Sequence, residues 1–163
     1  MHWQLIAECL RQELADYGAL LGLYEQQQQS LFARDPDAVL QIGLQIEGQV
    51  KTLQDGRSRR EQAVSDFALA HGEVPGATLR TLLPFVEADA RPLLAALINE
   101  VNHLLHRVRR TSHQNHTLLT RTLELQQELL RELRPGLFTK TYSPTGRVSL
   151  ATSRSAPTLL ATG

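Results

Sequence analysis

From Trp3 to Leu31 the positions Trp3, Ala7, Leu10, Leu14, Tyr17, Leu21, Tyr24, Gln28 and Leu31 advance by alternating steps of four and three, and all but Gln28 are apolar. That spacing holds one face of an α-helix against a neighbour packed at a small angle, so it predicts a helix over 3–31. Gly18 and Gly22 weaken this helix by about 1 kcal/mol each relative to alanine, a loss that packing must offset. Asp35 then supplies a capping carboxylate, and Pro36 fills a first helical position where its missing N–H is not needed. The second stripe, Val39, Ile42, Ile46, Val50, Leu53, Arg57, Arg60, Val64, Phe67 and His71, predicts a helix over 36–71 that Gly72 stops. Its middle, Gln54-Asp-Gly-Arg-Ser-Arg-Arg-Glu61, is polar, and a turn there would split it; the apolar period resumes in phase at Val64, which favours one continuous helix.

After a loop over 72–77, residues 78–85 read as a short helix halted by Pro84. Asp89 and Pro92 open the longest element, a helix over 90–133 with the seam Leu94, Leu97, Val101, Leu104, Val108, Thr111, Asn115, Leu118, Thr122, Leu125 and Leu129, closed by Pro135-Gly136. Beyond it the chain turns to Ser, Thr, Ala, Pro and Gly without periodicity, a composition that buries too little to offset its ordering entropy. The expected fold is therefore all-α: a long antiparallel helical hairpin completed to a three-helix bundle over 1–134, with a flexible C-terminal tail over 135–163.

Composition narrows the function. The 163 residues carry 17 Lys and Arg against 17 Asp and Glu, so no global field draws the chain to nucleic acid or an anionic membrane. Cys9 is the single cysteine, which excludes an internal disulfide and suits a reducing cytoplasm. The start, Met-His-Trp-Gln-Leu-Ile-Ala-Glu, reads as lacking an export signal, and no apolar run approaches the roughly 20 residues that span a bilayer.

His103, His106, His113 and His116 suggest metal ligands at first, but His106 and His113 lie opposite the apolar seam about 10 Å apart, and a solvated face explains them better. Arg57, Arg59 and Arg60, with Arg107, Arg109 and Arg110, form two basic clusters; acids dilute them and no aromatic stacks among them, which argues against nucleic-acid binding. No glycine-rich phosphate loop, nucleophile elbow or His-Glu-x-x-His pattern is present, so the reading is not an enzyme and implies no cofactor and no metal. What stays unexplained is apolar width: Ile6, Leu20, Leu23 and Phe32 fall outside the first seam, and Leu93, Leu105 and Leu130 outside the third. Two readings account for it, a self-associating helical bundle (a homodimer) and a surface that takes a partner's amphipathic helix.

The order of parts decides between them. Gln54 to Gln62 on the second helix, Asn115-His-Thr-Leu-Leu119 and Leu129-Leu-Arg-Glu-Leu-Arg-Pro135 on the third, and Thr141-Tyr-Ser-Pro-Thr-Gly146 on the tail resemble the FlgN family of flagellar export chaperones. The resemblance is most specific over 114–149. It implies a cytoplasmic chaperone that covers the C-terminal helical segments of hook-associated proteins of the FlgK and FlgL type and delivers them to the export gate protein FlhA. Together with the apolar width, it places client contacts at Leu118, Leu119, Leu125, Leu129 and Leu133. By position in the motif it assigns docking to the FlhA cytoplasmic domain to Tyr142 and Gly146. From the residues alone, the same tail stretch is a turn, with Pro144 and Gly146 in favoured places.

Overall fold

A computed structural model of the chain describes residues 2–74, 76–133, 138–142 and 148–152. The elements follow in the order α1 (His2–Phe32), α2 (Pro36–Ala70), α3 (Leu79–Leu82), a 3₁₀ turn (Leu83–Phe85), α4 (Arg91–Leu133), β1 (Phe138–Tyr142) and β2 (Val148–Thr152). They group into two compact units, 1–118 and 119–163.

In the first unit α1 and α2 form a hairpin. Arg34 sits in the left-handed region at φ 56°, and Asp35 N–H reaches back to the Ser30 carbonyl at 3.0 Å, which satisfies an orphan carbonyl at the end of α1. The Asp35 carboxylate then accepts from Ala38 N–H at 3.0 Å, with Pro36 just inside α2. At the far end Gly72 takes φ 73° and Glu73 N–H bonds the Ala68 carbonyl at 2.9 Å, the left-handed stop that a glycine favours.

The polar middle of α2 does not break it, because α1 answers it with a polar layer of its own. Glu13, 1% exposed, accepts a charge-assisted hydrogen bond from Arg60 Nε at 2.5 Å. Buried Asp16 accepts from Gln12 at 3.2 Å and Gln49 at 3.4 Å, and Gln49 also donates to the Asp16 carbonyl at 3.2 Å. Two positions of the expected stripe change: the buried series steps from Leu53 to Gly56 and then to half-buried Arg60, leaving Arg57 exposed, and His71, just past the end of α2, is exposed too. Arg60 keeps its expected place on the stripe and meets Glu13 there, and a carboxylate that deeply buried needs its partner.

The connection between α2 and α4 closes the bundle. Thr78 caps α3 by accepting from Thr81 N–H at 3.3 Å, and Leu79, Leu82 and Val86 enter the core beside Ile6, Leu10, Phe67 and Leu94. Pro84 lies inside the 3₁₀ turn, where its missing N–H is tolerated. α4 begins at Arg91, whose guanidinium donates to the Val86 carbonyl at 2.8 Å and the Pro84 carbonyl at 2.7 Å, stapling the turn to the helix. Farther along, buried Asn115 donates to the Tyr24 carbonyl at 2.7 Å and to Gln27 Oε1 at 3.1 Å. Arg109 lines the same cleft as Tyr17 while Asn115 bonds Tyr24 and Gln27 farther along α1, so α4 runs with α1 and against α2 in an up-down-up bundle.

The second unit holds the end of α4 and the two strands. β1 and β2 pair antiparallel, with Phe138 opposite Thr152, Lys140 opposite Leu150 and Tyr142 opposite Val148. The fold is all-α as expected, a bundle of long helices, and the short β1–β2 pair is an addition that the helical periodicity did not announce. Residues 135–137, 143–147 and 153–163 of the expected tail lie outside the described residues.

Candidate partner-binding surface

The seam of α4 is a heptad. Its buried members, Leu94, Val101, Val108 and Asn115, recur at seven-residue intervals, flanked by half-buried Leu97, Leu104 and Leu118. The same positions continue at Thr122 and Leu129, yet from Thr120 to Leu133 every residue is exposed. At 100° per residue, Leu118, Leu119, Thr122, Leu123, Leu125, Leu129, Leu130 and Leu133 fall within about 160° of the helix circumference. Arg121, Glu124, Glu128, Arg131 and Glu132 occupy the remainder. This is an amphipathic segment whose apolar face meets water.

The sequence-derived contacts divide along this face. Leu118 and Leu119 are half-buried, while Leu125, Leu129 and Leu133 are 56%, 57% and 77% exposed. Two leucines of the same face, Leu123 and Leu130, were not among the expected contacts and are as open as the others. Leu123 lies four residues after Leu119 and Leu130 seven after Leu123, and those offsets are the signal that would have included them. Exposed leucines on several successive turns leave apolar area in water worth about 25 cal/mol per Å² to any helix that covers it.

Of the expected docking residues, Tyr142 is the last residue of β1, and Gly146 lies outside the described residues. The four histidines of α4 are all exposed, and among the described residues no three His, Cys, Asp or Glu side chains gather as metal ligands. Among the same residues no helix is long and apolar enough to cross a membrane. Of the arginines, Arg60 is bound to Glu13, and Arg57 makes a looser, exposed pair with Glu61 at 3.8 Å.

In a comparison with protein families, the model described as FlgN protein matches residues 1–149. Neither the curated proteins nor the solved structures give a match.

Proposed function

The chain belongs to the FlgN family, which supports a role as a flagellar export chaperone, and from that premise we propose which surfaces it uses and for what. The distal face of α4 binds the C-terminal helical segments of hook-associated proteins of the FlgK and FlgL type, through Leu118, Leu119, Leu125, Leu129 and Leu133. Leu123 and Leu130 extend the same face. Tyr142 and Gly146 then present the loaded chaperone to the cytoplasmic domain of FlhA, and the protein works in the cytoplasm. No bond is made or broken in this role, so the chain acts by covering and releasing and not as an enzyme.

The observation that carries the reading is the run of exposed leucines from Leu123 to Leu133 on a helix whose earlier heptads are buried. A client helix laid on it gains apolar burial and loses its own ordering entropy, which leaves moderate affinity and permits release. The rival is a self-associating bundle that covers the same leucines with a second copy and has no client.

Titration separates them. The protein, the Leu125→Asp/Leu129→Asp variant and the Tyr142→Ala variant are each titrated with a C-terminal fragment of a hook-associated protein and, separately, with the FlhA cytoplasmic domain. The double variant is expected to lose roughly tenfold to a hundredfold in affinity for the client fragment while keeping its helicity. Tyr142→Ala should weaken only the FlhA titration. Absence of client binding by the unaltered chain, with a mass that rises with concentration, would establish the self-associating bundle instead.

A further inference from the structure

The first unit contains a second surface, made from other residues than the distal leucines. Between α2 and α4, over α1, lies an open cleft of about 550 Å³. Tyr17 and Leu20 of α1, Leu53 and Arg57 of α2, and Leu105 and Arg109 of α4 are among the residues that line it, and among the described residues no carboxylate does. Its α4 side extends over residues 105–116, about 16 Å or three helical turns.

We propose that this cleft receives an amphipathic helix from a partner protein, apolar on the face it inserts and carrying carboxylates on its flanks. Three features lead there. The three helices leave open the place that a fourth would fill in a four-helix bundle, the arrangement that closes such a core. The α1 side of the lining, Tyr17, Leu20 and Tyr24, is apolar at spacings i, i+3 and i+7, which suits the anchors of an inserted helix, and α4 adds Leu105 and Val108. The charged lining residues Arg57 and Arg109 stand on opposite walls, so the field within the cleft selects an acidic helix and disfavours a basic one. Glu61 holds Arg57 only through an exposed contact at 3.8 Å, which an incoming carboxylate readily replaces.

The inference goes beyond the client reading and is tested without it. The probes are two synthetic peptides of about 14 residues, long enough for about four turns, with one shared leucine ridge and either glutamates or lysines on its flanks. Fluorescence anisotropy measures their binding to the full chain in a Leu125→Asp/Leu129→Asp background, which removes the distal leucine face. The glutamate peptide is expected to bind at least about tenfold tighter than the lysine peptide. Arg57→Glu/Arg109→Glu should invert that preference, and Arg57→Gln/Arg109→Gln, which adds no repulsion, should abolish it. Equal binding of the two peptides, or a preference that survives both pairs of substitutions, overturns the proposal. So does sedimentation showing that the unaltered chain self-associates and that the Arg57→Gln/Arg109→Gln variant does not, because the occupant is then a second copy. Each result is readable whether or not the hook-associated fragment binds the distal face.

Discussion

The two halves of α4 carry the same heptad to opposite ends. Residues 91–119 bury Leu94, Val101, Val108 and Asn115 at seven-residue intervals, while residues 120–133 repeat the leucine pattern and leave it in water. Local sequence does not distinguish the halves: both are amphipathic, and both are rich in good helix formers. The difference lies in what α1 and α2 cover. An apolar stripe therefore records a need for a partner, and only tertiary packing tells whether that partner belongs to the same chain.

The comparison breaks most readily at the covered end. Leu94→Ala removes a fully buried side chain and should cost about 2–5 kcal/mol, read as a lower urea midpoint with an unchanged slope. Asn115→Ala tests the last buried member of the series. It leaves Gln27 Oε1 and the Tyr24 carbonyl without their donor, for an expected loss of about 1–3 kcal/mol. At Asn115 the comparison sharpens, since Asn115 Oδ1 is itself buried without a protein partner and the donated bonds alone account for the residue's position.

A smaller effect concerns Tyr17, on the covered side. Burial raises its pKa above the usual 10, and the nearby Arg57 guanidinium only partly offsets this. The folded chain thus holds the phenol proton to higher pH than the unfolded chain does. The stabilisation is complete below about pH 10 and is lost as pH climbs through the raised value, because the unfolded chain releases its proton first. Tyr17→Phe should flatten the fall of stability above that pH, measured by denaturant unfolding across the alkaline range. The smallest effect belongs to the exposed half: Leu129→Ala should move folding stability by no more than about 0.5 kcal/mol. A loss there as large as that of Leu94→Ala would mean that the distal leucines support the fold, and the contrast between the halves would collapse.

Much of this molecule was legible in its residues. Periodicity located the helices, and Asp35, Pro36 and Gly72 marked where they turn, because caps and left-handed stops act locally. The distal leucines were legible for the same reason, as a pattern longer than three helices could cover. What escaped depends on contacts distant in sequence. The partner that holds Arg60 on the α2 seam is Glu13, 47 residues away. Nor does any run of residues announce the cleft, which exists only once three helices are in place. The strands had a local signal that the absence of helical period obscured: Phe138-Thr-Lys-Thr-Tyr142 and Val148-Ser-Leu-Ala-Thr152 both favour extended backbone, separated by Ser-Pro-Thr-Gly-Arg.

The polar contacts of α1 have a mechanical consequence. Interfaces of leucine and valine alone tolerate sliding by a heptad, since one apolar layer replaces another. Here any slip of α2 along α1 strands the Glu13 carboxylate without Arg60, and any slip of α4 strands Asn115 away from Gln27. α1 therefore serves as the ruler against which both neighbours are aligned. A load drawn along the axis of α4 meets resistance to shear at two keyed points, and the bundle should yield by separating its helices sideways before it yields by letting them slide.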